Sequence, residues 1–292
     1  MNSTGNTTTA TLTGPNDRYE RGLAVLRQVA GPEQSTVLDG FAEIAPDLTR
    51  FVVEFGYGDV YTRPGLTLRE RQLATVAALA ALGNAAPQLR FHLAGALNVG
   101  CTRREIVETL IHVTLYAGFP AALNGLGVAR EVFEAYPDTA PEDAEAAGEG
   151  PDAAETTADR YRRGLTALTE IDGHAGEQVV ASLWDIAPDL GRYVIEFAFG
   201  DVYSRTGLDL RTRELATIAM CTALGTVAPQ LAVHIHGLLN VGGTEEDVVE
   251  TITHMVGYAG FPAALNGIAV ARTVFAERAA AGQASTDSAT ES

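Results

Sequence analysis

The chain is one sequence written twice. At an offset of 142 residues, positions 17–134 align without a gap onto 159–276, and 65 of the 118 pairs are identical. Asp17-Arg18-Tyr19 returns as Asp159-Arg160-Tyr161, Glu54-Phe55 as Glu196-Phe197, and the stretch from Tyr116 to Asn124 as Tyr258 to Asn266. Whatever fold one copy adopts, the other must adopt too, so the architecture is two homologous domains in tandem. The expected layout is a tail over 1–16, a first repeat over 17–136, a linker over 137–158, a second repeat over 159–278 and a tail over 279–292. The linker is rich in Ala, Pro, Gly and acid and carries too little apolar residue to fold alone.

Within each repeat the pattern is helical: apolar runs at 3.6-residue spacing, broken by Gly and Pro. Thr67-Leu-Arg-Glu70 and Thr102-Arg-Arg-Glu105 read as capping boxes, and Asp209 and Thr244 occupy the same caps in the second copy. Helices are expected at about 17–29, 34–44, 47–57, 68–82, 87–98, 103–116 and 121–135, with Gly100 and Gly118 as C-terminal stops. The segment LRERQLATVAALAAL over 68–82 is small and apolar nearly all round, which suits a helix buried on most faces or at an interface.

Composition narrows the function. All 20 basic residues are Arg, and the absence of Lys removes Schiff-base, pyridoxal-phosphate and P-loop chemistry. A formal charge of −17 disfavours nucleic acid and anionic membrane surfaces and points to a small molecule or a protein as partner. Cys101 and Cys221 are the only cysteines, with no CxxC and no zinc spacing, so neither a disulfide scaffold nor a dithiol site is expected. The first 16 residues lack a basic and an apolar region, and no apolar run looks long enough to span a membrane, so a cytoplasmic protein is expected.

Four of the six histidines form repeat pairs, His92 with His234 and His112 with His254. Glu108, His112 and Tyr116 recur at i, i+4 and i+8, as do Glu250, His254 and Tyr258, so a carboxylate could orient each imidazole for acid–base work. His92 lies on the preceding antiparallel helix and could share a cleft with His112. Each of these histidines could equally be a satisfied core residue. His234 and His236 point about 200° apart on a helix, which argues against a metal centre. Arg69, Arg71, Arg211 and Arg213 crowd helix N-termini against the dipole, as groups holding a substrate carboxylate or an interface acid would. Glu54, Asp59, Glu196 and Asp201 stand near Arg63 and Arg205, in a structural or a catalytic ion-pair network. One difference between the copies changes proton chemistry: Gln72 stands where the second repeat has Glu214.

The combination of R(E/Q)LA, APQLxxH, LNVG and YAGFPAALN, carried twice, resembles the carboxymuconolactone decarboxylase family, related to the alkylhydroperoxidase D-like fold. The resemblance covers nearly all of both repeats. It implies all-α domains that associate into trimers or hexameric rings, here three two-domain chains as a pseudo-hexamer. It also implies a cofactor-independent decarboxylation of a carboxylated unsaturated lactone. By similarity Glu214 matches the family's acidic position and His92 and His234 its histidine. The CxxC of the hydroperoxidase branch is replaced by Asn84-Ala-Ala-Pro87 and Thr226-Val-Ala-Pro229, which removes cysteine-based peroxide reduction. The expected protein is thus a cofactor-free lyase acting on a carboxylated lactone or related β-keto acid. Glu214, His234, His254, His92 and His112 are its catalytic candidates. Arg71, Arg213, Tyr116, Tyr258, Asn98 and Asn240 are its substrate-binding candidates, for an anionic or polyketide-like small molecule. Two alternatives stand beside it: a tailoring isomerase, cyclase or oxidase of secondary metabolism, and a non-catalytic oligomeric scaffold.

Overall fold

The computed structural model describes residues 15–31, 43–136, 155–173, 178 and 180–290. Residues 1–14 of the tail expected over 1–16, most of the helix expected at 34–44, and residues 137–154 of the expected linker lie outside them. Among the described residues the fold is all-α, with no strand. The first repeat comprises α1 (Pro15–Ala30), α2 (Pro46–Phe51), a π-helix (Val52–Val60), α3 (Leu68–Leu82), α4 (Ala86–Asn98), α5 (Arg103–His112) and α6 (Thr114–Ala135). The second repeats this order as α7 (Thr157–Asp172), α8 (Pro188–Tyr193), a π-helix (Val194–Tyr203), α9 (Leu210–Leu224), α10 (Ala228–Asn240), α11 (Glu245–His254) and α12 (Val256–Thr290).

The centre of the molecule is α3 against α9. Every residue from Arg71 to Ala81 and from Arg213 to Ala223 is buried. Ala74, Ala78, Ala219 and Ala223 form one apolar cluster where the two helices meet, and side chains this small let the axes approach closely. Thr67–Glu70 is a complete capping box, and Asp209 caps α9 through the Thr212 amide. Gly83 and Gly225 end both helices in the left-handed conformation. The main polar contacts that cross between repeats come in exchanged pairs related by the 142-residue offset, Tyr61–Tyr258 with Tyr203–Tyr116, Thr75–His254 with Thr217–His112, and Arg63–Glu250 with Arg205–Glu108, so the two copies pack about a pseudo-twofold axis.

The expected helices at 47–57 and 103–116 differ in the structure. The first begins at Pro46 and widens at Val52 into a π-helix in both copies. α1 and α7 lie so close to these wide turns that only glycine fits: a Cβ at Gly22 would sit 2.0 Å from the Val53 carbonyl oxygen, and one at Gly164 1.9 Å from that of Ile195. Arg18 and Arg160 then clamp the same approach through Asp59 and Asp201. The second expected helix ends at His112, and Tyr116 belongs to the next one. Gly118 leaves the helical conformation (φ 82°, ψ 168°) and interrupts α6 at a kink, a break at the glycine where a stop was expected, and Gly260 repeats it in α12. α12 also runs past residue 278 to Thr290. Its stretch Val256–Gln283 is long and apolar enough to cross a membrane, contrary to the expectation from sequence. Here, however, it packs Ala264, Ala271 and Val274 into the core of the second repeat.

Candidate active site

Two polar clusters flank the α3–α9 seam, and each takes residues from both repeats. In the second-repeat cluster, α9 supplies Glu214 and Thr217, α10 supplies His234, and Tyr203 ends the π-helix. The first repeat supplies His112 from α5 and Tyr116 from α6. Glu214 is fully buried, and its Oε2 accepts from His234 Nδ1 at 2.8 Å. That bond fixes the ring and turns Nε2 toward the Tyr116 hydroxyl, 3.0 Å away. Tyr116 and Tyr203 share a 2.7 Å hydrogen bond between their hydroxyls, and His112 Nε2 meets Thr217 Oγ1 at 2.8 Å.

The first-repeat cluster has the same geometry with different chemistry. His92 Nδ1 donates to the Gln72 amide oxygen at 3.0 Å, and Gln72 Nε2 donates to the Tyr61 hydroxyl at 3.1 Å. Tyr61 bonds Tyr258 of the second repeat at 2.6 Å, and Tyr258 stands 3.3 Å from His92 Nε2. His254 Nε2 meets Thr75 Oγ1 at 2.8 Å.

The one exchange of Gln72 for Glu214 separates the two imidazoles. Burial disfavours the charged ring in both, and at His92 nothing opposes it, so its pKa falls to about 3. At His234 burial is outweighed by the charge and hydrogen bond of Glu214, with Asp172 adding to them, and its pKa rises above the ordinary histidine value. The second-repeat site can therefore hold an imidazolium near neutrality, and the first-repeat site cannot. His112 and His254 are held well below their ordinary value by burial, then by Arg213 and Arg71.

Several expectations change with this geometry. Glu108 does not orient His112; it lies at 2% exposure and takes three hydrogen bonds from Arg205 and one from Arg213, at 2.8 to 3.1 Å. Glu250 does the same for Arg63 and Arg71. Arg71 and Arg213 thus hold interface acids of the opposite repeat, and Arg211 pairs both with Glu70 of the opposite repeat and with Asp247 of its own. Asp59 and Asp201 belong to the α1 and α7 clamps rather than to Arg63 and Arg205. His92 does not share a cleft with His112; His112 joins the cluster of His234, and His254 joins that of His92. Asn98 and Asn240 tie helices together, donating to the carbonyls of Val29 and Ile171 at 2.9 and 2.8 Å. His236 points away, 3.5 Å from Glu277. Tyr61, Tyr203, Thr75 and Thr217 were not picked out from sequence, because their partners lie on the other repeat. Asp172 was also missed, although its counterpart is Ala30, a difference as telling as Gln72 against Glu214.

Both cysteines are buried, and burial pushes their thiols up to about 12. At pH 8 they are neutral and poor nucleophiles. The native protein is expected to resist iodoacetamide for a time in which the urea-unfolded chain gains two adducts, read by intact mass. Rapid native labelling of either cysteine would contradict the burial.

The fold and the clusters define a class: a tandem all-α protein with two buried polar clusters, each completed by the opposite repeat. The model of the carboxymuconolactone decarboxylase family matches residues 46–131 and again 188–273. The chain belongs to that family. It is 38% identical over 118 residues to the 4-carboxymuconolactone decarboxylase of Acinetobacter baylyi, a match covering 40% of this chain and 87% of that one. It is 29% identical over 120 residues to the nitrosuccinic acid decarboxylase of Metarhizium robertsii, covering 39% and 80%. Among solved structures, a gamma-carboxymuconolactone decarboxylase subunit of Burkholderia xenovorans superposes with a TM-score of 0.55 at 22% identity, over 87% of this chain and 98% of that one. That last likeness is one of fold.

Proposed function

We propose that the second-repeat cluster is the active site of a cofactor-independent decarboxylase, acting on a carboxylated unsaturated lactone or a related β-keto acid. The observation that carries this reading is the 2.8 Å bond from His234 Nδ1 to Glu214, with Tyr116 on the ring's other nitrogen and Tyr203 bonded in turn to the Tyr116 hydroxyl. Decarboxylation breaks the bond to the carboxyl carbon, sends its electron pair into a conjugated acceptor on the substrate, and needs one proton delivered to carbon. A His234 imidazolium, kept charged by Glu214, supplies that proton from Nε2, directly or through the Tyr116 hydroxyl. Tyr116 and Tyr203 are themselves held neutral, their pKa values raised by burial and then by the Glu214 charge. They serve as donors toward a developing enolate oxygen. Both decarboxylases among the relatives are named for a carboxylic acid that bears an electron-withdrawing group, which supports the same substrate class. The exposed Phe119, Leu123, Phe261 and Leu265 supply an apolar face for a homo-oligomer.

The test is release of CO2 from 4-carboxymuconolactone, nitrosuccinate and an acyclic β-keto acid, with one proton consumed per CO2. Turnover of at least one is expected. No release from any of the three overturns the reading.

A further inference from the structure

The hydrogen bonds of the two clusters run in opposite directions. In the first-repeat cluster they close into a ring of four side chains. His92 Nδ1 donates to the Gln72 amide oxygen at 3.0 Å, and Gln72 Nε2 donates to the Tyr61 hydroxyl at 3.1 Å. Tyr61 then gives its proton to Tyr258 at 2.6 Å, and Tyr258 gives its own to His92 Nε2 at 3.3 Å. The ring is complete with His92 neutral, and its hydroxyls point round toward that histidine.

The second-repeat cluster does not close this way. The Glu214 carboxylate has no proton to give Tyr203, and its Oε1 is buried without a partner. Tyr203 meets Thr217 instead, at 3.4 Å. Thr217 already donates its one proton to the Arg213 carbonyl, a turn back on α9, at 3.0 Å. Its oxygen is therefore left to accept, from His112 Nε2 at 2.8 Å and from Tyr203.

We infer that Thr217 is a positioning residue that sets this direction: it offers Tyr203 only an acceptor, so both tyrosine hydroxyls point away from His234 and Nε2 of His234 is held as a donor. Tyr203 donates to Thr217, Tyr116 to Tyr203 at 2.7 Å, and His234 Nε2 to Tyr116 at 3.0 Å, while His234 Nδ1 donates to Glu214. A neutral ring would instead take the Tyr116 proton and turn Tyr203 back to Tyr116. Two oxygens would then face each other at Thr217 with no hydrogen between them. The protonated ring is the state in which every one of these contacts holds a hydrogen. The groups facing His234 are Glu214 from α9, Tyr116 from α6 and Tyr203 from the π-helix, and His112 of α5 and Asp172 of α7 act on it through charge. The consequence for turnover rests on the decarboxylase reading. As CO2 leaves, the electron pair left on carbon takes the Nε2 proton, and neither tyrosine proton is tied to His234, so both are free to turn to a substrate oxygen. The chain then reverses onto the neutral ring until a proton from solvent restores it.

The experiment is a 15N NMR titration of the full chain labelled in histidine, whose ring shifts distinguish an imidazolium from either neutral tautomer. His234→Gln and His92→Gln assign the two rings. In wild type at pH 7, His234 is expected as an imidazolium and His92 as a neutral ring protonated on Nδ1. Thr217→Val should lower the His234 midpoint by about one pH unit or more, a tenfold weaker hold on the proton, and Thr217→Ser should restore it. Thr75→Val takes the same partner from His254 and should leave the His92 tautomer unmoved, which separates a change of direction from damage to packing. Equal His234 midpoints in wild type and a Thr217→Val variant that melts normally overturn the inference. So does a wild-type His234 with no proton on Nε2 at pH 7, a result that needs no variant to fold. The spectra need no substrate, so they decide the inference apart from the CO2 assay. Where CO2 is released, kcat of Thr217→Val should fall at pH 7 with KM held, and recover below the shifted midpoint. An unchanged kcat profile removes the role in proton delivery.

Discussion

Glu214→Gln is expected to lower kcat about 10²- to 10⁴-fold, the usual contribution of a general acid–base group, with little change in stability. The protein carries its own control at Gln72, where a buried glutamine already sits on a histidine Nδ1 at 3.0 Å. Glutamine at 214 can keep the His234 ring in place, so the loss is one of charge and not of geometry. Without the carboxylate, burial acts on His234 as it does on His92, and the imidazolium is lost at neutral pH. Gln72→Glu is expected to be tolerated, and His234→Gln to cost far more turnover than His92→Gln. Comparing kcat for the four variants decides the matter. Equal losses at the two histidines, with Glu214→Gln unaffected, would take Glu214 out of the mechanism and leave two equivalent sites.

Glu108→Ala is expected to cost about 3–5 kcal/mol of stability, because it strands a cation in the seam between repeats. Arg213 has no exposed surface, and its partner carboxylate comes from the opposite copy at 3.0 Å. Water cannot easily replace Glu108, itself 2% exposed. In a chain of this size the loss corresponds to a fall in Tm of roughly 10 °C. Glu250→Ala should follow it, since Glu250 makes the same bonds to Arg63 and the fully buried Arg71. The control is Arg90→Ala, which breaks an exposed pair with Glu131 and should cost under about 1 kcal/mol. If Glu108→Ala melts no lower than Arg90→Ala, the seam is held by its alanines and not by its crossed ion pairs.

Both predictions depend on contacts that no single helix encodes. Thr67 with Glu70 and Thr102 with Glu105 are visible in sequence because a cap bonds within one turn, and the structure keeps both. The burial of Leu68–Leu82 is equally visible, because a helix apolar on every face has nowhere to go but inside. Glu108 and His112 look like a pair for the same local reason. They are not one, because Arg213 and Arg205 compete for the carboxylate across the seam with charge and several donors. The π-helices at Val52 and Val194, 9 and 10 residues long, left no periodic signal, since so short a change of pitch is fixed only once the neighbouring helix closes on it.

The sequence by itself determined that there are two copies, that each is helical, where the caps fall, and that one copy holds Glu214 where the other holds Gln72. These are properties of local spacing and of residue identity. Only tertiary packing settled that each cluster is built from both copies and that Tyr203 and Thr217 join Tyr116 and His112. The physical reason is the pseudo-twofold seam. It brings together side chains 87 to 197 residues apart, and the water it excludes sets which of the buried groups keep a charge.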